Sequence, residues 1–481
     1  MKTSIRWVLL ITLLLVGVTL SAETVAGLPL HIQKLAPNVV RVWVGDFISS
    51  TATVAIATGK GVVVIDTLGN PKVDAELRKV IARELGRKDF KVLINTHEHG
   101  DHTGGNAVYA DCDIVGHELV GPGMTARLGD RQRQLEWAKT ALAELKANLE
   151  KEVPGSPAAK RLQEELILDR LNHEVLQSDV KPVPPTRTFN DRMTLNMGDT
   201  TLELYYIGGM HSAGDIAVFV PESGLLMTGD TMADTWLTDT PGCLQSFIAR
   251  EGVRHDFPLL LENWSQILQK KDKIKKLVPG HWNGELSLKG FEDRINYIRA
   301  LWEGVQKAAQ EGSTLEAVQE EYALNKRFPE LSKSPGFSER NTYATVLEMW
   351  AVATGQESAA ARLYALIDEG AGEDAVRQVL AARGVKPPKY YYLEFQINAY
   401  GYRFLQADKV PQAVRMFKAN VELFPDAWNV YDSLGEALVK AGDITGAEKM
   451  YEKSVALKPD NKNGLEALQK IREAKAAGNS R

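Results

Sequence analysis

Four side chains that can bind metal ions fall within six consecutive residues: His97, His99, Asp101 and His102. Histidine supplies only 9 of the 481 residues, so composition alone does not account for such a cluster. Imidazole and carboxylate groups are ligands that zinc and other transition-metal ions take in proteins. Because alternate residues at a strand end point the same way, His97 and His99 can hold one ion, while Asp101 and His102 face a second. The spacing predicts a site for two metal ions.

The element that positions this cluster is an apolar segment, residues 91–94, which ends shortly before it. Short runs of β-branched residues bounded by turns are typical of buried strands. The pattern predicts further strands at 39–44, 54–56 and 61–66, and a helix at 73–85. Strands and helices that follow one another in this order predict a layered α/β domain.

The motif resembles that of the metallo-β-lactamase-fold hydrolases. The resemblance implies a four-layer αββα sandwich and three further metal ligands, each close after an apolar strand with a glycine nearby. His211, Asp230 and His281 stand in such settings. The resemblance covers about residues 30–330, and we predict a catalytic domain over 27–330.

The resemblance also assigns a role to each candidate residue of the site. It implies that one metal ion is held by His97, His99 and His211. It implies that the second is held by Asp101, His102 and His281, and that Asp230 bridges the two. Asp66, at the end of its predicted strand, is implied to support the orientation of the ligands. Two zinc ions are the expected cofactors, and iron or manganese would suit the same ligands.

The chemistry implied by the resemblance is hydrolysis of a small molecule by a hydroxide bound to both metal ions, with Asp101 as the catalytic residue that orients it. β-Lactamases of this fold usually carry Cys or Ser where this sequence has Asp230, and the related alkylsulfatases usually carry Glu. The aspartate resembles the thioesterase and lactonase branches. We therefore expect an ester, thioester or lactone as substrate, with a β-lactam or a sulfate ester as the alternatives.

The N-terminal residues 1–26 have the layout of a secretory signal. Basic residues precede an apolar run at 7–20, and small or polar residues follow it. The run is shorter than the roughly 20 residues that a membrane-spanning helix needs. The pattern predicts export, to the periplasm or outside the cell, with a membrane anchor as the alternative. In an oxidising compartment Cys112 and Cys243 could pair, and two separate buried thiols fit the sequence equally well.

Three helical regions are predicted beside the α/β domain. Residues 124–178 are charged and helix-favouring, and we interpret them as an inserted hairpin that acts as a lid or as a dimer contact. A helical linker is predicted over 331–390. The last region, 391–476, has a period of 34 residues and resembles tetratricopeptide repeats.

The repeat-like region offers a second functional hypothesis. Small residues and aromatics recur 34 apart, as in the pairs Gly401 and Gly435, and Phe417 and Tyr451. The region is expected either to stabilise or dimerise the enzyme or to bind a protein partner. If it alone is functional, the metal domain would be an inactive scaffold.

The overall composition is that of a globular protein with two or three domains. Hydrophobic residues make up 44% and charged residues 25% of the chain. The 57 basic and 62 acidic residues give a net charge of −5, which does not favour a polyanion. We therefore expect no nucleic-acid partner.

Overall fold

The computed structural model describes residues 23–46, 50–129, 131–178, 181–209, 211–231, 255–281, 287–333 and 339–478. Cys243 and residues 1–22 of the predicted signal lie outside these ranges, whereas Cys112 is described and is a buried free thiol. The chain divides into two compact units. The first contains Met1–Leu204, Val218–Gly229 and Val278–Gly284, and the second contains Tyr205–Ala217, Asp230–Leu277 and Glu285–Arg481.

An eight-stranded sheet organises the first unit. Its strands are β1 (Thr24–Val25), β2 (Leu28–Ala36), β3 (Val39–Val44), β4 (Thr53–Thr58), β5 (Gly61–Ile65), β6 (Phe90–Ile94), β7 (Asp113–His117) and β8 (Arg187–Phe189). They lie side by side in chain order. Strands β1 to β5 pair antiparallel, and β5 to β8 pair parallel. Because parallel strands share a direction, the residues that follow β5 and β6 emerge at the same edge of the sheet.

A second sheet has five strands in the order β13-β12-β11-β10-β9. These strands are β9 (Arg192–Asn196), β10 (Thr201–Tyr206), β11 (Ile216–Val220), β12 (Leu225–Gly229) and β13 (Lys276–Pro279). Strands β11 and β12 form an antiparallel hairpin and are buried along their whole length. Such continuous burial explains why both are uniformly apolar rather than alternating. A separate pair, β14 (Glu357–Ser358) and β15 (Tyr390–Tyr391), is parallel.

The helices of the first unit are α1 (Pro71–Leu85), α2 (Gly100–Thr103), α3 (Val120–Gly129), α4 (Arg131–Leu149) and α5 (Pro157–Gln177). Local chemistry sets both ends of α1. The side chain of Asn70 accepts a hydrogen bond from the backbone N–H of Lys72, and Pro71 occupies the first turn. Gly86, with φ of 64°, ends the helix in the left-handed conformation that favours glycine.

The inserted hairpin consists of α4 and α5, and α5 belongs to the core of the first unit. Ile167, Leu168 and Leu171 pack against the buried cluster that contains Val25 and Leu28. The Asn70 side chain also donates a hydrogen bond of 2.8 Å to the Leu171 carbonyl. Movement of α5 as a lid would expose this apolar surface to water. The alternatives of a lid and a dimer contact therefore stay open only for α4.

The remaining helices belong to the second unit. They are α6 (Phe257–Leu268), α7 (Leu288–Gln310), α8 (Leu315–Glu321), α9 (Leu324–Arg327), α10 (Glu339–Thr354), α11 (Ala359–Asp368), α12 (Glu373–Ala381), α13 (Glu394–Gln406), α14 (Val410–Leu423), α15 (Trp428–Lys440), α16 (Ile444–Leu457) and α17 (Lys462–Gly478). None of the described helices combines the length and hydropathy that a membrane-spanning segment requires.

Glycines allow the closest helix contacts in the C-terminal region. A Cβ atom at Gly401 would lie 2.4 Å from the Phe417 ring, and one at Gly435 would lie 3.0 Å from the Tyr451 ring. Only a residue without a side chain lets these helix pairs approach so closely. The prediction of a C-terminal helical region is confirmed, whereas its tetratricopeptide-like nature stays a prediction.

A buried carboxyl group, Asp74, lies in the first turn of α1 and is 1% exposed. Its Oδ1 accepts a hydrogen bond of 2.8 Å from the backbone N–H of Leu68. Its Oδ2 has no hydrogen-bond partner among the described residues. A Cβ atom at Gly105 would lie 2.1 Å from this oxygen, so the loop after the metal motif packs directly on it. Burial raises the pKa of Asp74 to about 7, although the backbone hydrogen bonds oppose the shift.

We expect Asp74→Asn to stabilise the protein at pH 8 by on the order of a few kcal/mol, and to have little effect near pH 4. Between about pH 4 and 7 the unfolded chain releases this proton while the folded chain keeps it, so the wild-type free energy of unfolding falls as pH rises. Urea unfolding of both proteins across this range measures the difference. Asp89→Asn is the matched control, because the exposed Asp89 has its pKa lowered to about 2 by Arg87. A constant difference at every pH would contradict the assignment.

Candidate metal centre

The predicted site residues follow the ends of several strands from both sheets. Asp66 comes directly after β5, and the motif with His97 follows β6. Asp230 comes directly after β12, and His281 lies two residues after β13. Residues at strand ends can be polar without disturbing the buried apolar sheet, and their backbone positions are fixed by the strands before them. The sheets therefore position these side chains.

The structure brings all seven predicted ligands together in two groups. One contains His97, His99, His211 and Asp230, and the other contains Asp101, His102, Asp230 and His281. Within each group the potential ligand atoms lie within 4.8 Å of one another. Asp230 is common to both groups. This grouping has the same membership as the two ligand sets implied by the sequence resemblance.

Three donor atoms of the second group form a nearly equilateral triangle. His102 Nε2 and His281 Nε2 are 3.3 Å apart, and each is 3.4 Å from Asp101 Oδ2. Ligands of a tetrahedral ion, at bonds of roughly 2.0–2.1 Å, are about 3.3–3.4 Å from one another. The donor types and their spacing therefore fit a divalent ion such as zinc.

Asp66 sets the tautomers of two of the imidazoles. Its Oδ2 lies 3.0 Å from His102 Nδ1, and it accepts a hydrogen bond of 2.7 Å from the Thr96 hydroxyl. The Thr96 oxygen in turn lies 3.0 Å from His97 Nδ1. Because an ionised carboxylate only accepts, His102 Nδ1 carries the proton. The Thr96 hydroxyl uses its hydrogen in the bond to Asp66, so its oxygen accepts a hydrogen bond from His97 Nδ1–H. This network assigns the lone pair of both imidazoles to Nε2, the nitrogen that faces the site.

Asp66 is held in turn by its backbone. Its φ of 57° lies in the left-handed region, which is uncommon for a residue other than glycine. Its N–H donates to the Ile94 carbonyl at 2.8 Å, and its Oδ1 accepts from the Thr96 N–H at 2.7 Å. These bonds tie the end of β5 to the end of β6 and maintain the strained conformation.

A segment before β4 links the two sides of the triangle. The Thr51 hydroxyl donates to Asp101 Oδ2 at 3.2 Å, and Thr51 also forms a β-bridge with His281. The next residue, Ala52, donates its N–H to the Gly280 carbonyl at 2.8 Å. Thr51 therefore holds the carboxylate that faces the site and the backbone that carries one imidazole. It is 3% exposed, so this contact is shielded from water.

A buried guanidinium group supports the same backbone. Arg41, which is 5% exposed, donates from Nη2 to the carbonyls of Pro279 and His281. Its positive charge lies next to the backbone segment that carries the His281 ring. Charge-assisted hydrogen bonds of this kind are stronger than neutral ones, so Arg41 restricts the orientation of that segment.

The His211 turn is held by a separate carboxylate. Asp215 Oδ2 accepts from the backbone N–H groups of His211 and Ser212, and its Oδ1 accepts from the Ser212 hydroxyl at 2.7 Å. His211 Nε2 lies 3.5 Å from Asp230 Oδ2. Asp215 is buried, so this turn keeps its shape through bonds that water does not compete for.

The electrostatics of the site favour an ionised Asp101. Burial opposes the charged form, but when no metal ion is bound, protonated His102 and His281 attract and donate to the carboxylate and outweigh burial, so the pKa of Asp101 lies well below its usual range. An ionised carboxylate is a ligand for a cation and an acceptor for hydrogen bonds.

Sequence reasoning missed the supporting role of Thr96 and those of three further residues. Arg41 gives a recognisable signal, because it interrupts the apolar strand β3 and would need partners if buried. Asp215 is followed immediately by β11, a position compatible with an ordinary turn. Thr51 gives no signal, because its role depends on contacts with residues 50 and 230 positions away in the chain.

Comparison with known proteins identifies the part of the chain that carries this site. Residues 46–281 match the family model described as "Metallo-beta-lactamase superfamily". Members of that superfamily are hydrolases, and the donor set is that of a divalent-metal site. The predicted fold class is confirmed, and the predicted enzyme class is the one to which members of that superfamily belong.

Two characterised relatives come from Nocardioides sp. (strain JS1661). The alpha subunit of 2,4-dinitroanisole O-demethylase is 25% identical over 261 residues, which cover 53% of this chain and 58% of the relative. The beta subunit is 27% identical over 92 residues, which cover 19% of this chain and 29% of the relative. The chain thus spans less than two thirds of the length of either relative.

Solved structures also resemble the chain. The metallo-beta-lactamase from Pontibacter korlensis is 20% identical with a TM-score of 0.35, and the match covers 56% of this chain and 97% of that one. A double mutant of the sec-alkyl sulfatase PisA1 is 14% identical with a TM-score of 0.43, and covers 89% of this chain and 65% of that one.

Removal of the Thr51 hydroxyl should weaken metal binding at the Asp101 side of the site. We expect Thr51→Val to lower the affinity for one of two ions by roughly 10-fold or more, because the carboxylate loses a partner that orients it. Thr51→Ser should keep most of the wild-type affinity. Competition with a chelator of known affinity measures both.

Thr53→Val is the matched control for this experiment. Thr53 is also buried and lies two residues further along, but its hydroxyl has no hydrogen-bond partner among the described residues. It should bind metal as the wild type does. Equal metal affinity in Thr51→Val and Thr53→Val would show that Thr51 has no positioning role.

Proposed function

Because residues 46–281 belong to the metallo-β-lactamase superfamily, we propose that the protein is an exported hydrolase that uses two metal ions to cleave an ester, thioester or lactone. The observation that carries the proposal is the triangle of donor atoms from Asp101, His102 and His281. Zinc ions held by these groups, or iron or manganese ions, would lower the pKa of a bound water to about 7 and polarise a carbonyl oxygen.

The protein's own residues prepare this chemistry by fixing geometry in advance. Asp66 and Thr96 hold the protons of two imidazoles on the nitrogens that face away from the site. Thr51 keeps one oxygen of Asp101 turned toward the imidazoles. Preorganised groups of this kind need no rearrangement as the reaction proceeds, and this reduces the barrier.

Asp101 is the residue we assign to orienting the attacking water. Its side chain is 44% exposed, whereas those of His102 and His281 are 0% and 3% exposed. Substrate and water therefore approach from the Asp101 side. As a carboxylate, Asp101 would accept a hydrogen bond from the water and direct its oxygen lone pair at the carbonyl carbon.

The ester, thioester and lactone classes are proposed because Asp230 stands at a position where the resemblance distinguishes them from β-lactamases. A β-lactam and a sulfate ester remain the alternatives. The alpha-subunit relative belongs to a 2,4-dinitroanisole O-demethylase. An aryl methyl ether is therefore a further candidate to be tested with the others.

A proposal from another class is that the C-terminal helices α13 to α17 bind a protein partner or a second copy of this chain, while the metal domain is inactive. The two curated relatives are named as subunits of one enzyme, which favours a test for association. Loss of catalysis by the metal domain would relax selection on its ligands, and all seven predicted ligand side chains are present and grouped.

The metal-loaded protein should hydrolyse at least one member of a panel of ester, thioester, lactone, β-lactam, sulfate ester and 2,4-dinitroanisole. On the best substrate we expect Asp101→Ala to lower kcat/KM by about 100-fold or more, because the orienting carboxylate is lost. Chelation should abolish the activity, and added zinc should restore it.

Asp113→Ala is the matched control, because Asp113 is an exposed aspartate at the start of β7. It should retain wild-type kinetics. Full activity of Asp101→Ala, or no turnover of any panel member by the metal-loaded protein, would contradict the proposal. In the second case, elution as a complex with a partner would favour the binding function of α13 to α17.

A further inference from the structure

A partly open pocket lies beside the metal motif and shares only Asp101 with the ligand groups described above. Its volume is about 270 Å³. Glu98, Gly100, Asp101, Thr103 and Gly104 of the metal motif form one side. Helices α3, α4 and α5 and residues 181–183 form the remainder. Asp101 is thus shared between this cavity and the proposed catalytic centre.

Part of the cavity wall is held in place by packing and hydrogen bonds. Helix α5 packs on the core of the first unit through its residues 167–171. Arg131, at the start of α4, donates to the carbonyls of Leu176 and Ser178 at the end of α5. These bonds join the two ends of the hairpin and satisfy carbonyl groups that a helix terminus leaves without partners. The end of α5 and the start of α4 are therefore held together at the cavity.

Most of the cavity lining is apolar, and the volume of the cavity matches one aromatic ring. The apolar residues are Ala107, Met124, Val175, Leu176, Pro182 and Val183. An apolar cavity of about 150 Å³ takes a benzene molecule. A space of about 270 Å³ therefore accommodates a ring with one or two substituents.

The polar groups of the cavity favour an uncharged ligand with a hydrogen-bond donor. Asn172 Oδ1 is buried and has no hydrogen-bond partner among the described residues. Glu98 and Asp101 also line the cavity and add carboxylate acceptors, which disfavour an anion. The Arg131 guanidinium is engaged by the two carbonyl groups. Lys181 is exposed at the edge.

Gly69 lies between the Asn172 side chain and the metal motif. Because it has no side chain, the space between them stays open. A Cβ atom at this position would lie 3.2 Å from Asn172 Oδ1 and 3.5 Å from Asp101 Cα. A ligand anchored at Asn172 is therefore next to the backbone of Asp101. This places the cavity within reach of a substrate whose scissile bond lies at the metal ions.

We infer that this cavity binds a ring-sized, uncharged organic group of the substrate, one that carries a hydrogen-bond donor to Asn172. The inference rests on the proposed hydrolase function, and it adds the specificity-determining residues Asn172, Val175 and Leu176. The metal centre cleaves the bond, and the cavity selects the group attached to it.

Fluorine NMR of the full chain tests the cavity without any requirement for turnover, with 4-fluorophenol and fluorobenzene as probes. The wild type should bind both and should prefer 4-fluorophenol by about three- to tenfold, the effect of one hydrogen bond. Val175→Trp fills the cavity and should weaken both by about tenfold or more. Gln177→Trp, an exposed substitution on the same helix outside the lining, should bind both as the wild type does.

Asn172→Ala keeps the test decisive if Val175→Trp does not fold. It removes the acceptor and adds space, so it should lose the preference for 4-fluorophenol and retain fluorobenzene binding. Absence of binding to the wild type at millimolar probe, or unchanged binding in a folded Val175→Trp, would overturn the assignment.

Steady-state kinetics test whether the cavity holds part of the substrate. For the hydrolysed compound class, the ratio of kcat/KM between a phenyl and a methyl derivative should fall by about tenfold in Val175→Trp and stay constant in Gln177→Trp. A constant ratio in both would show that the cavity does not hold the substrate, while the hydrolase function would stand. Binding that depends on Val175 without any hydrolysis would instead contradict the proposed function.

Discussion

The site depends on the mutual repulsion of three electron-rich atoms, which a cation must offset. His102 Nε2, His281 Nε2 and Asp101 Oδ2 lie 3.3–3.4 Å from one another. Because the Nδ1–H group of His102 donates a hydrogen bond to Asp66, the Nε2 atom of the ring carries a lone pair that faces the other two atoms. Such an arrangement is unfavourable in a buried setting without a positive charge at its centre. A bound metal ion supplies that charge, and the rest of the domain holds the triangle in place.

The supporting bonds come from parts of the first unit that the chain order keeps far apart. The carboxylate of Asp66 joins β5 to β6, Thr51 connects the Asp101 side chain to the His281 backbone, and Arg41 holds the same backbone from behind. Each of these groups is buried, so its hydrogen bonds are shielded from competing water. The eight-stranded sheet supplies the strand ends that make these contacts possible.

The sequence predicted the residues whose chemistry is local and missed those whose role depends on distant contacts. The motif from His97 to His102 carried the family resemblance, and the two ligand sets that the resemblance implied have the same members as the two groups in the structure. The apolar strands and α1 were also predictable, because periodicity and Gly86 define them locally. Thr51 was not predictable, since a threonine that stands next to Ser50 and close to Thr53 is ordinary. The cavity at Asn172 was also not predictable, because helix α5 packs on the core through partly apolar faces whose partners the sequence does not specify.

The most direct test of the central claim is anomalous X-ray diffraction from crystals grown with zinc. We predict a peak at about 2.0–2.2 Å from each of His102 Nε2, His281 Nε2 and Asp101 Oδ2, with a second peak beside His97, His99 and His211. Crystals with the same three side chains in the same triangle but no anomalous peak among them would contradict the account, because the repulsion would then be balanced in some other way.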